Sequence, residues 1–168
     1  MFLPGSSIAD IACGSGRDLV AGTRNHMVMY GSDIAPGQVA VARKVHPVVC
    51  VASFCDLPYP AHSMDGIWAC AAIVHADDNL LSQTLNEFAR VLAPGGLLYM
   101  NTKSLDGTVS ADGYDRQGRW FHLRGASELC ETMTSHGWDI LTVSETQDPE
   151  RGHITWVETT ATHNPARL

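Results

Sequence analysis

Strand-like and helix-like segments alternate along this chain until its last two strand-like runs, which have only a short turn between them. Strands are expected at Ser7–Ala12, Met27–Tyr30, Val48–Ala52, Gly66–Ile73 and Leu97–Met100, each bounded by glycine, proline or aspartate turns. Between them fall helices at Arg17–Asn25 and Gln38–Lys44, and a longer one whose Leu80, Leu81, Leu85, Phe88, Val91 and Leu92 recur at three- and four-residue spacing. A fourth is expected from Ser127 to His136. Alternation of this kind builds a parallel sheet with helices on both faces. Gly66–Ile73, apolar throughout, suits a central strand covered on both sides. Trp138–Val143 and His153–Thr160, joined by Asp148-Pro149-Glu150-Arg151-Gly152, leave no room for a crossover helix and must pair antiparallel. The predicted architecture is α/β: a doubly wound, mostly parallel sheet of seven strands ending in an antiparallel hairpin.

With 168 residues the chain suits one domain, residues 1–168, with a single core. Its 45% hydrophobic and 17% charged residues exclude a disordered chain. The longest apolar run, Gly66–Val74, is less than half of what a membrane crossing needs, so no membrane association is expected. Met1-Phe2-Leu3-Pro4 lacks the basic start and apolar stretch of a signal peptide. Cys13, Cys50, Cys55, Cys70 and Cys130 are odd in number and form no Cys-x-x-Cys pair, which suits reduced thiols and a cytoplasmic location. Cys50 and Cys55 with His46 and His62 match no metal template, and no metal is expected. A formal charge of -7 disfavours a nucleic-acid partner, which is bound by excess lysine and arginine.

In a doubly wound sheet, ligands bind beyond the C-terminal ends of the strands at the switch point. The turn there is Ala12-Cys13-Gly14-Ser15-Gly16-Arg17-Asp18, where glycines admit close backbone approach and the helix behind offers free N–H groups. A tight turn without a ligand would read the same way. Asp33, ending the second strand, adds a carboxylate able to accept hydrogen bonds from both hydroxyls of a ribose, a role compatible with capping the helix after Pro36. Cys55-Asp56-Leu57 falls within reach of the base of the same nucleoside. A nicotinamide dinucleotide is the rival ligand, but the third glycine of G-x-G-x-x-G would fall at Leu19.

These residues resemble the class I S-adenosylmethionine-dependent methyltransferases, particularly the ubiquinone/menaquinone-biosynthesis-like small-molecule group. Asp10-Ile11-Ala12-Cys13-Gly14-Ser15-Gly16 is similar to the family's acid followed by G-x-G-x-G, and Tyr30-Gly31-Ser32-Asp33 to the acidic end of its second strand. Cys55-Asp56-Leu57-Pro58 with Met64-Asp65-Gly66-Ile67-Trp68 resembles its D-x-x-x-L-P-F-x-x-x-S-F-D segment, and Arg90 to Gly96 its R-x-L-x-P-G-G. The likeness runs from about Ile8 to Trp156. It implies a Rossmann-like fold and S-adenosylmethionine as cofactor. Asp10, Ala12, Cys13, Gly14 and Gly16 would approach its methionyl part, Asp33 with Ile34 the ribose, and Asp56 with Leu57 the adenine. The sequence departs from the pattern at Ala12, where the family has glycine, at Ala35, where it usually has serine, and in starting its first strand without the family's N-terminal covering segment.

The resemblance further implies methyl transfer by in-line displacement to a small-molecule acceptor, a reaction in which the protein mainly supplies alignment. His75, following the fourth strand, is the candidate base, since imidazole titrates in the useful range. Lys103, following the fifth, is a second catalytic candidate. Trp120 and His122 are candidate acceptor contacts within Arg119-Trp120-Phe121-His122. That segment, with Ser127-Glu128-Leu129, also resembles the R-Y-Y-H…G-E-L region of tRNA wobble-uridine methyltransferases, a second acceptor class. A third reading is a cofactor-binding paralogue without turnover. Two elements are candidates to cover the site: a second subunit, giving a homodimer, or the Gly- and Asp-rich loop from Leu105 to Gly118.

Overall fold

The computed structural model describes residues 2–105, 111–114, 118–149, 152 and 154–167. Among them a seven-stranded sheet forms from β1 (Ser7–Ile11), β2 (Val28–Asp33), β3 (Val49–Val51), β4 (Met64–Ala69), β5 (Leu92–Leu105), β8 (Trp138–Gln147) and β9 (Ile154–His163). A separate two-stranded sheet pairs β6 (Ala111–Tyr114) with β7 (Trp120–Leu123). The large sheet runs β3-β2-β1-β4-β5-β9-β8. The first five of these strands are parallel, and β9 pairs antiparallel with both β5 and β8. The doubly wound architecture with its terminal antiparallel pair is therefore present.

Helices α1 (Arg17–Arg24), α2 (Pro36–Ala42), α3 (Asp78–Val91) and α4 (Ala126–Ser135) cover the sheet on both faces. Successive residues of a strand point to opposite faces, and β1 shows the consequence. Ile8 packs with Leu19 of α1 and Val39 and Ala42 of α2, whereas Ala9 joins Leu81, Leu85 and Phe88 of α3 and Leu129 and Met133 of α4. Each large apolar side chain buried this way contributes roughly 1.5–3 kcal/mol. Pro36 opens α2 at a position where its missing N–H costs nothing, and Asp77 caps α3 by accepting from the Leu80 N–H. No helix among the described residues is long and apolar enough to cross a membrane.

Several boundaries differ from expectation, β2 running on to Asp33 and β8 to Gln147. The fourth strand stops at Ala69 rather than Ile73, because Ala71 takes a left-handed conformation (φ 56°) and Ile73–His75 coils into a 3-10 turn. The fifth strand is far longer than Leu97–Met100, since β4 and β5 pair through a bulge that accommodates Pro94-Gly95-Gly96 within the strand. Within the expected loop from Leu105 to Gly118, Ala111–Tyr114 is a strand paired with β7. Residues 106–110 and 115–117 of that candidate lid lie outside the described residues, as do Glu150 and Arg151 of the terminal turn.

Candidate functional site

The loop from β1 to α1 encloses a cavity of about 250 Å³ lined by Asp10, Ala12, Cys13, Gly14, Ser15, Arg17, Asp18 and Cys70. Gly16 caps α1 at φ 89°, and a Cβ there would stand 3.0 Å from the Val45 side chain and 3.3 Å from Ala42. Glycine thus serves both the turn and the close approach of α2. Ala12 takes the same left-handed region (φ 56°) with a methyl group attached.

Two carboxylates in this cavity have opposite environments. Asp18 is held below the ordinary carboxylate range, chiefly by the Arg17 guanidinium at 2.6 Å, and accepts a further bond from Trp68 Nε1 at 3.0 Å. Asp10 is 2% exposed, and its Oδ2 has no hydrogen-bond partner among the described residues. Burial, with the charge of Asp18 second, pushes the Asp10 carboxyl up to about 8. Burial likewise lifts the Cys13 thiol to about 12, so it stays protonated at neutral pH.

Asp33, at the end of β2, is buried and bonds two backbone groups: Oδ2 accepts from Gly14 N at 2.9 Å and Oδ1 from Ala35 N at 2.8 Å. The N-cap of α2, Ala35, makes no side-chain capping bond of its own. Ile34 is 67% exposed, Asp56 is exposed and Leu57 is buried. None of these three lines the cavity, although all lie beyond β2 and β3 at the same end of the sheet. Their loop is fastened by a pair the sequence analysis passed over. Glu87 Oε1 accepts from Leu57 N at 2.7 Å, while Arg90 donates to the carbonyls of Tyr59 and Leu57 at 3.0 and 3.2 Å and pairs with Glu87 at 2.7 Å. The arginine before Pro94-Gly95-Gly96 thus anchors the loop carrying Asp56 and Leu57.

The candidates for the acceptor side divide into two groups. His75, itself exposed, ends the 3-10 turn whose Ile73 and Val74 are buried, its Nδ1 donating to the Trp120 carbonyl and its ring 4.6 Å from that of Phe121. Lys103 on β5 sets its Nζ 5.7 Å from the Phe121 ring and 4.6 Å from the Trp156 ring. Phe121, rather than Trp120, is the ring that His75 and Lys103 share. Trp120 stacks edge-on against Tyr114 at 5.0 Å.

His122 turns elsewhere, with Nε2 3.5 Å from Asp78 and 3.9 Å from Glu128. Asp78, His122 and Glu128 place ligand atoms within 4.8 Å of one another. The guanidinium of buried Arg124 already stands 2.9 Å from the same Asp78 oxygen, and a fixed cation there opposes a metal ion.

A family described as a methyltransferase domain matches residues 9–100. An O-methyltransferase of Pyrenophora dematioidea is 30% identical over 151 residues, covering 82% of this chain and 56% of the relative. A probable tRNA methyltransferase 9B of Homo sapiens is 30% identical over 159 residues, covering 89% of this chain and 32% of the relative. The chain therefore spans little more than half the length of the first of these curated relatives, and less of the second. Among solved structures, one titled as a SAM-dependent methyltransferase from Methanosarcina mazei superposes with a TM-score of 0.82 at 19% identity, covering 97% of this chain and 94% of that one.

Proposed function

The chain belongs to the methyltransferase-domain family, and from that membership we propose that it binds S-adenosylmethionine at the end of β1 and methylates an oxygen of a small-molecule acceptor. The observation that carries the reading is the buried Asp10 Oδ2, an unsatisfied anion-forming atom beside a cavity. An isolated buried carboxylate is costly, and an ammonium group restores its balance. The amino-acid end of the cofactor carries that ammonium, so the donor set fits.

When bound, the cofactor supplies an electrophilic sulfonium methyl. Asp10 holds its ammonium and the Cys13–Gly16 turn admits the chain behind it. Asp33 keeps further lone pairs after accepting from Gly14 and Ala35, and these receive the ribose hydroxyls. Ile34 with Asp56 and Leu57, beyond β2 and β3 at the same end of the sheet, would flank the adenine.

A hydroxyl acceptor must lose its proton as the new bond to carbon forms. Because His75 Nδ1 donates to a carbonyl, the neutral ring keeps its lone pair on Nε2, where the acceptor proton goes. Lys103 and Phe121 border the same space and orient the acceptor, while Trp120 enters through its carbonyl, which holds the His75 ring. His122 supports this wall from behind through Asp78.

A tRNA acceptor is the second reading, supported by the human relative and opposed by the charge of -7. Calorimetry with S-adenosylmethionine, followed by transfer of labelled methyl groups to a small-metabolite extract and to bulk tRNA, tests both. Cofactor uptake with label only in metabolites supports the proposal; no uptake, or label only in tRNA, overturns it.

A further inference from the structure

Ala12 and Ala71, at the ends of the neighbouring strands β1 and β4, are both left-handed at φ 56°. Such a conformation in a residue with a Cβ needs something to impose it. Ala12 belongs to the glycine turn. Ala71 has a specific restraint from β5: buried Asn101 accepts the Ala71 N–H on Oδ1 at 2.6 Å. The register of β4 on β5 pairs Ala69 with Met100, so the next residue along β5 meets the chain just as it leaves the sheet.

The other end of the Asn101 amide is also engaged. Nδ2 donates to Cys70 Sγ at 3.6 Å and to Tyr99 Oη at 3.3 Å. Tyr99 stacks on Trp68 with ring centroids 4.0 Å apart, and Trp68 Nε1 holds Asp18 at 3.0 Å. Cys70 and Asp18 are both walls of the Asp10 cavity, and the turn pinned at Ala71 runs on into Ile73–His75. One side chain therefore sits between the cavity and the turn that carries the base.

We propose that Asn101 is the positioning residue of this site, pinning the Cys70–Ala71 turn left-handed and thereby setting where the Cys70 wall and His75 stand. The inference rests on the reading of the cavity and of His75 given above. Its strain element is separable from its fold element, since glycine adopts the left-handed region without a restraint. Asn101→Leu keeps the branched side-chain shape and removes the side-chain hydrogen bonds, and adding Ala71→Gly to it relieves the strain that the bond had offset.

The test compares parent, Asn101→Leu and the double variant at a temperature where all three are folded. In the protein without cofactor, amide exchange at Ala71 should be about 10-fold faster or more in Asn101→Leu than in the parent. Turnover at saturating cofactor should fall about 10-fold or more in Asn101→Leu and return to within a few-fold of the parent in the double variant. Unchanged exchange in Asn101→Leu, unchanged turnover, or a folded double variant as slow as Asn101→Leu overturns the assignment. A parent that takes up no cofactor yet shows the exchange difference overturns the functional reading beneath it and leaves the pin itself standing.

Discussion

The carboxylate of Asp33 accepts a hydrogen bond from the backbone N–H of Gly14 at 2.9 Å, so the end of β2 holds the glycine turn that follows β1. A residue chosen for its reach toward a ribose is thus also part of the scaffold. Asp33→Ala should weaken S-adenosylmethionine binding about 100-fold and also lower stability by about 1.5–3 kcal/mol, since charged acceptors of two backbone N–H groups are lost. Calorimetry and denaturant unfolding measure the two effects. Undiminished stability would show that the turn holds without Asp33, and undiminished affinity would remove it from the ribose.

Asp10 predicts a pH dependence of two kinds. Its folded value of about 8 lies above the ordinary carboxyl value of 3.8, so the native protein keeps a proton that the unfolded chain releases. Stability then declines as pH rises from about 4 to about 8 and levels off beyond, and Asp10→Asn should flatten that slope. Cofactor binding should run the opposite way. An ammonium favours ionised Asp10, so affinity should strengthen toward pH 8 with release of a proton. Calorimetry in buffers of different ionisation enthalpy reads that proton directly; a buffer-independent heat would contradict the pairing.

His75→Ala should lower turnover at saturating cofactor by about 100-fold while leaving cofactor affinity within a few-fold. The substitution also removes the donor to the Trp120 carbonyl. His75→Asn, whose amide can still donate, separates that role from proton transfer. Recovery of turnover in the asparagine variant would make His75 a strut for β7 and not a base.

Ala12 stands left-handed where a glycine would rest unstrained. Relief of that strain, about 1–2 kcal/mol, exceeds the about 0.4–1 kcal/mol that glycine costs through the unfolded chain. Ala12→Gly should therefore raise the melting temperature by a few degrees, and Ala9→Gly, within the preceding strand β1 and fully buried, should lower it. A lower melting point for Ala12→Gly would mean that the methyl group makes contacts worth more than the strain.

Arg124 is fully buried, and its Nε and Nη1 have no hydrogen-bond partner among the described residues, so Asp78 is its main anchor. Among the described residues, removing the anchor leaves this buried charge with only the 4.0 Å approach of Glu128 to its Nε. Asp78→Ala should cost about 1–3 kcal/mol, although Asp78 itself is exposed and its attraction is screened. Arg124→Met, which removes the charge and keeps apolar bulk, should recover most of that loss in the Asp78→Ala background. Additive losses in denaturant unfolding would rule out the coupling.

The sheet and the glycine turn after β1 were legible because their signals are local. An acid, two glycines and a second-strand aspartate announce the β1 turn, and apolar periodicity announces α3. The end of β4 was not, since Ala71-Ala72-Ile73 continues an apolar run and only a residue 30 positions away bends it. The Glu87–Arg90 fastening of the Leu57 loop is likewise a distant pairing that no window of sequence contains. Ala111-Asp112-Gly113-Tyr114 lacks strand composition and forms β6 through its partner β7. Which ring of Arg119-Trp120-Phe121-His122 meets His75 and Lys103 depends on which face of β7 turns inward, and the segment itself does not carry that information.

The insertion of β9 between β5 and β8 has a consequence for how the chain is made. Among the described residues β8 has no sheet neighbour other than β9, and Leu97 pairs with Thr162, far along the chain. During synthesis the long β5 therefore waits with an open edge until β9 emerges, and such an edge is a template for pairing with other chains. A nascent or truncated chain ending before Ile154 should be captured by chaperones or aggregate, however complete its glycine turn and its cavity.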